Sequence, residues 1–416
     1  MSAMPRRACT HLLRFVRIKT SDSTLGRVVP FVVFQNLRRR STMQKKLIAL
    51  AVAGLVSGGA FAQSNVSIYG IVDAGYLNEN FDGADKATSK IDSGLLSTSR
   101  LGFKGEEALG NGLKAVFNLE YALAIDKNST IGGNDVNGIP TARQQSVGLS
   151  HATYGTVLAG YLQSAGYDFA VAASPLAASA IGAGKVLAFK GEAADASLLN
   201  YTGGRLENAL SYVSPTFAGF NVVLNHGRIT EAANTNNTAD QYANAIGINY
   251  ANGPLTAGFA YAKMFLAGKG QPAPVTGSQT DIEEYGIRGG YDFGVAKLQA
   301  AYQTFEAKDM ALGRDSKWVI GATVPVSAAG AVVAEYASLN VKTPTAANNG
   351  GLTVNNFNTG PLAAYADAKA WTLAYTHALS KRTTAYAGYN QVSSDAINTA
   401  NTGDVKRVAF GVRHAF

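Results

Sequence analysis

Cysteine is nearly absent from this chain of 416 residues: the only one is Cys9. A chain with one cysteine near its start has no disulfide framework and no thiol chemistry to offer. Long hydrophobic runs are also missing. The most apolar stretch, Leu47–Val56, falls well short of the roughly 20 residues a membrane-crossing helix requires. Histidine is scarce, with His151, His226, His377 and His414 isolated from one another beyond residue 62. Neither HExxH nor a Cys/His/Asp cluster of zinc-ligand spacing is present, so no metal is expected. GAGK at 182–185 lacks the upstream glycine and the following Ser/Thr of a phosphate loop.

A fourth absence is hidden by the composition. The formal net charge of +8 comes from the beginning of the chain. Residues 1–62 hold 11 of the 36 basic and one of the 28 acidic residues, leaving 25 against 27 and a net of −2. The basic balance is therefore no argument for a nucleic-acid partner. Met43 opens MQKKLIALAVAGLVSGGAFAQ, with two lysines, an apolar run and Ala60-Phe61-Ala62. That order is the n-region, h-region and cleavage site of a secretory signal peptide. Residues 43–62 are expected to be that signal and 63–416 the mature chain. The arginine-rich residues 1–42 then read as an extension from a mis-assigned start, with a long, unusual leader as the alternative.

What is present is alternation. In Ser99–Tyr121, SRLGFKGEEALGNGLKAVFNLEY, Leu113, Ala115, Phe117, Leu119 and Tyr121 fall on one face of a strand. Lys114, Val116, Asn118 and Glu120 fall on the other. Sixteen such spans are expected: 66–77, 95–105, 112–124, 142–151, 155–162, 204–213, 218–228, 241–251, 254–265, 281–292, 294–306, 315–325, 330–340, 367–379, 382–393 and 405–416. Short connections (107–111, 214–217, 252–253, 380–381) alternate with long ones (125–141, 266–280, 341–366). Aromatic residues gather near strand ends. Apolar faces, polar faces and alternating loop lengths predict an all-β fold, a 16-stranded antiparallel transmembrane β-barrel. An exported β-sandwich also alternates, but has no need for charges opposite the apolar face on so many strands. Residues 163–203 break the pattern. They are too apolar for a solvated tail, and are expected to fold back into the lumen of a barrel otherwise wide enough for an aqueous channel.

Several stretches resemble one family. TSRLGFKGEEALGNGLKAVFNLEY, NVSIYGIVDAGY, QSVGLSHATYGTVLAG, RLENALSYVSPTFAGFNV, HALSKRTTAYAGYNQV and VKRVAFGVRHAF are similar to segments of the Gram-negative trimeric general porins, above all the beta-proteobacterial branch. The resemblance implies a homotrimer in the outer membrane, with the third loop constricting each pore. It also implies passive diffusion of ions and small hydrophilic solutes without a cofactor or a catalytic step. Contacts with outer-membrane lipid and lipopolysaccharide, and with the barrel-assembly machinery, are implied too. Carried over residue by residue, the constriction comprises Arg100, Glu120, Arg143 and Arg205, with Asp168 the nearest of the loop acids Asp168, Glu192 and Asp195. Lys104, Lys114, Asn118 and Tyr161 are further pore-lining candidates, and Phe416 with Phe410 forms the assembly signal. Periodicity supports the inward placement of Arg100, Glu120 and Arg205. It opposes Arg143, which shares parity with Val147 and Leu149 unless a bulge intervenes. Two features depart from the family. Gly160-Tyr161 stands where many relatives have Gly-Arg, which puts strong anion preference in doubt, and the Pro-Glu-Phe-Gly-Gly loop tip of enteric porins is missing. The other readings are a closed barrel serving as adhesin or scaffold, and an outer-membrane serine hydrolase with a spatially assembled triad.

Overall fold

The computed structural model describes residues 65–82, 86–129, 131, 142–187, 204–230, 241–265, 281–307, 314–342, 367–394 and 404–416. The expected signal peptide, residues 1–42, Glu192, Asp195 and the loop 266–280 lie outside these. Seventeen strands run β1 (Asn65–Phe81), β2 (Thr88–Ser93), β3 (Arg100–Gly110), β4 (Leu113–Ala122), β5 (Ala142–His151), β6 (Gly155–Gln163), β7 (Arg205–Val213), β8 (Phe220–Thr230) and β9 (Gln241–Asn252). They continue as β10 (Leu255–Phe265), β11 (Ile282–Asp292), β12 (Lys297–Ala307), β13 (Arg314–Pro325), β14 (Gly330–Asn340), β15 (Ala368–Ala378), β16 (Thr383–Ser394) and β17 (Val405–Ala415). Among the described residues, two short helices, α1 (Ala165–Val171) and α2 (Ala183–Val186), lie between β6 and β7.

All strand pairings are antiparallel, and β1 closes the sheet on β17. β2 and β3 lie on the same side of β1: Ala74–Glu79 pair with β2, and Asn65–Ile71 pair with β3. The two therefore fill one position, and seventeen segments make a closed barrel of sixteen. Every expected span overlaps a strand; β2 is the piece that periodicity missed. One expected connection also shrinks. β3 continues to Gly110, and the turn is only Asn111-Gly112, with φ of 51° and 79°. A two-residue hairpin of this kind needs left-handed backbone at both positions, which Asn-Gly supplies.

The barrel is apolar outside and polar or small inside. Along β15, Ala368, Ala370, Thr372 and Ala374 are buried, whereas Lys369, Trp371, Leu373 and Tyr375 are exposed. Ile287, Ile320, Leu373 and Val408 are 56%, 48%, 51% and 43% exposed on their outer rows. A water-soluble protein has the opposite arrangement, so this band fits the hydrocarbon of a bilayer. Aromatic pairs cross adjacent strands on this face, among them Trp318–Tyr336 and Trp371–Tyr389, and Tyr291–Phe293 sits at a strand end. Aromatic rows of this kind suit the headgroup level. Phe410 stacks on Tyr76 with ring centroids 5.1 Å apart. Phe416, the last residue, exchanges two backbone hydrogen bonds with Gly70 at 3.1 Å.

Residues 164–187 pack against the buried rows of the wall. Ser164 caps α1, and the Ala165 amide donates to Asn225 Oδ1 at 2.8 Å. Phe169 lies over Gly286 and Ile181 over Gly388, at positions where a Cβ would fall 2.7 Å and 2.4 Å from the packed side chain. Those two glycines are gaps that the segment fills. Glu335, buried on β14, accepts from the Leu176 amide at 2.6 Å and the Ala183 amide at 2.9 Å. Thr372 donates to the Ile181 carbonyl. The Ala180 amide and the Ser179 hydroxyl both donate to the Leu95 carbonyl at 2.8 Å. The segment 94–99, between β2 and β3, is in turn held by Asp73, which accepts from the Leu96 and Ser97 amides at 2.9 and 2.6 Å. Glu335 thus accepts two amides of the segment, from Leu176 and Ala183, and ties both of its halves to β14. Glu335→Ala is expected to leave the barrel folded and heat-modifiable but to expose 172–187 to limited proteolysis. Equal protease resistance of variant and parent would show that the segment is held otherwise.

Candidate functional site

Two arginines converge on one carboxylate, and a third stands beside them. Arg143 donates through Nε to Glu120 Oε1 at 2.7 Å, and Arg100 places a guanidinium nitrogen 3.8 Å from the same oxygen. Arg100 also donates to the Thr98 carbonyl at 3.0 Å. Glu120 is 4% exposed. A carboxylate so buried is tolerable only when paired, and here its second oxygen also lies 3.0 Å from the Tyr69 hydroxyl. That hydroxyl is 2.9 Å from Asn118 Oδ1 as well. With one proton to give, it serves the stronger acceptor, the carboxylate. Lys104 stands 5.2 Å over the Tyr69 ring.

The loop contributes Tyr167 from α1. Arg143 donates to its hydroxyl at 3.1 Å, and the guanidinium of Arg205, the third arginine, stacks 4.5 Å above its ring. Cation–π stacking and a phenol acceptor let two guanidinium groups approach one side chain. Arg100 lies within the electrostatic reach of both Arg143 and Arg205. Thr98 and Arg100 of the wall, with Tyr167, Val171, Ala177 and Ala178 of the loop segment, line an open cleft.

Arg143 reaches this cluster through a bulge. The β4–β5 register shifts between Glu120, opposite Gln144, and Tyr121, opposite Ala142, so Arg143 is the extra residue. It turns to the buried side, while Val147 and Leu149 remain 61% and 49% exposed. The bulge that strict alternation would require is present. Arg205, 7% exposed, opens β7 on the buried side.

The other candidates separate. Lys114 and Glu106 form an exposed ion pair at 2.8 Å, near the short-turn end of the wall. Asp168 accepts from Gln163 at 3.2 Å and is not bonded to the arginine cluster. Burial pushes its carboxyl above the ordinary 3.8, against the opposing pull of the Gln163 amide and the Arg288 charge. Tyr161 lies apart from the cluster. It stands opposite Gln145 in the row of Val157 and Ala159, and Gln145 reaches the Tyr121 hydroxyl at 3.3 Å. That is the outer, apolar row, because alternation holds up to the β6–β7 shift between Gly160 and Leu162. Sequence reasoning missed Tyr167, Tyr69, Glu335 and Arg288. Only the inward parity of Tyr69 was visible; the rest depend on where the loop lands.

The Gram-negative porin family model matches residues 49–397. This chain belongs to that family. Outer membrane porin protein 32 of Delftia acidovorans is 33% identical over 398 residues, covering 90% of this chain and all of that protein. An outer membrane porin protein of Bordetella pertussis is 28% identical, with the same 90% and 100% coverage. The solved anion-selective porin from Comamonas acidovorans superposes with a TM-score of 0.65 at 29% identity, covering 85% of this chain and all of the other. The chain is thus an outer-membrane porin of a Gram-negative bacterium, a channel protein.

Asp168 gives this porin a pH signature. Above its raised pKa the carboxylate offsets part of the cationic field; protonation on acidification removes that offset. Ion selectivity is expected to move towards anions as the pH falls, beginning above the range of a free aspartate. Asp168→Asn should abolish that component of the titration. Reversal potentials measured from pH 7 to 4 check it, and identical profiles for the two proteins would contradict it.

Proposed function

We propose that this porin is a passive diffusion channel for small hydrophilic solutes and ions, with a waist between the Arg100–Arg143–Arg205 cluster and residues 164–187 folded into the lumen. The observation that carries this reading is the charge balance at the open cleft. Among the described residues, Arg100 lines the cleft and shares the Glu120 carboxylate with Arg143 behind it, while Arg205 stacks on Tyr167 beside them, so three guanidinium groups stand against one carboxylate. A ring of one sign in a narrow, low-dielectric passage attracts counter-ions and repels co-ions. The channel therefore prefers anions, in line with the Comamonas acidovorans porin, which is described as anion-selective.

The working unit is a homotrimer, in line with a solved Vibrio cholerae structure described as a trimer form. Residues 43–62 act as the export signal and 63–416 form the barrel, with residues 1–42 an upstream extension. Phe416 and Phe410, on the outer face of the last strand, serve as the signal to the barrel-assembly machinery. The aromatic rows meet outer-membrane lipid and lipopolysaccharide.

The test is a planar-bilayer recording of the purified protein under a salt gradient. A reversal potential of the sign for anion preference, conductance steps closing in threes, and an intact mass beginning at Gln63 are expected. Arg100→Ala should move the reversal potential towards zero. A folded barrel that gives no steps, or one that selects cations, would refute the reading.

A further inference from the structure

Arg288 differs from Arg100, Arg143 and Arg407 in lacking an acid. Arg143 and Arg100 lie within 4 Å of Glu120, and Arg407 pairs with Glu79 at 2.8 Å. Among the described residues no carboxylate lies within ion-pair distance of Arg288. One of its terminal nitrogens donates to Asn249 Oδ1 at 2.8 Å, and its Nε is buried with no hydrogen-bond partner among the described residues. The guanidinium has a built seat. It lies over Gly258 on β10, where a Cβ would come within 2.7 Å of Nε, and its other neighbour is the Phe169 ring at 6.0 Å. Asp168 acts on it through space without bonding to it.

Its height differs from that of the cluster. Arg288 is four residues before Asp292, the short-turn end of β11, on the row of Gly286 that receives the loop. Glu120 is seven residues above the short-turn end of β4, and Arg205 eight above that of β7. At roughly 3.3 Å per residue, the offset along the strands is about 10–13 Å. Arg288 is thus a separate charge on the short-turn side of α1, beyond the waist.

We propose that Arg288 is a second anion station of the channel. It receives a small anion (chloride or a carboxylate) that has passed the Arg100–Arg143–Arg205 cluster, drawn by a guanidinium charge that no ion-paired carboxylate neutralises. This rests on the anion-preferring reading above. Two stations in series let an ion leave the first for the second instead of returning, and a site without a fixed carboxylate partner has no competitor for the passing anion. Asp168, beside it but not bonded to it, keeps the station from holding the anion tightly.

The test uses the purified porin in planar bilayers with potassium chloride gradients. Removing one unit charge about 7 Å from the ion path in water changes its interaction by about the thermal energy. Arg288→Gln should therefore lower the chloride-to-potassium permeability ratio roughly two- to threefold, and Arg288→Lys should hold it near the parent value. Because residues 63–416 contain no cysteine, Arg288→Cys can be modified after folding. A sulfonatoethyl thiosulfonate should depress the ratio and a trimethylammonium-ethyl reagent should restore it. Reversal potentials of the Gln and modified Cys forms equal to the parent's would overturn the station while leaving the anion-selective waist intact. A Lys variant that shifts as far as Gln would assign Arg288 a structural role instead. A parent protein without anion preference would overturn the underlying reading and this inference together.

Discussion

The structure depends on pairing every backbone group in a medium that offers none of its own. In hydrocarbon an unpaired N–H or C=O costs several kcal/mol, so a sheet there survives only when closed. Closure is made by eleven register pairs between Ile71–Phe81 and Val405–Ala415, extended by the two bonds between Phe416 and Gly70. With the sheet closed, its two faces meet different solvents. The exposed Trp, Leu, Ile and Val rows and the buried Ala, Thr and charged rows both follow from that. The second strand position is the exception. It is split into β2 and β3, and the intervening segment 94–99 turns away from the ladder to meet the loop.

That split explains how the site is supported. Leu95 offers its carbonyl to Ser179 and Ala180, Asp73 holds Leu96 and Ser97, and Glu335 holds the other side of the loop segment. Arg100 begins β3 directly after the split, so the residue facing the cleft and the residues anchoring the loop are neighbours in the chain. The arginines need such support because like charges repel. Glu120, the Tyr167 ring and its hydroxyl offset that repulsion among them. The buried ladder Glu79–Arg407–Asn390–Thr372 continues the same device on the far wall and ends on Ile181 of the loop.

Much of this is legible in the sequence, because alternation with period two survives in nearly every strand. The positions of Arg100 and Glu120 follow from parity alone. Arg143 and Tyr161 show where parity stops helping. A one-residue bulge at Arg143 reverses its side, whereas Tyr161 keeps the alternation of β6 against β5. β2 has little apolar content in TSKIDS, so it carries no periodic signal; it is a strand because β1 extends far enough to pair with it. Tyr167, Glu335 and Arg288 acquire their roles from contacts between distant parts of the chain. No local pattern announces them, although the apolar content of 163–203 did mark the loop as something other than a solvated connection.

The proposed waist puts the open path between the Thr98–Arg100 wall and the face of the loop carrying Val171, which is 38% exposed beside that cleft. The most direct test is the single-channel conductance of Val171→Cys before and after attachment of a bulky thiol reagent. A large, reductant-reversible fall in conductance is expected in every subunit modified. Unchanged conductance at complete labelling would place the path elsewhere.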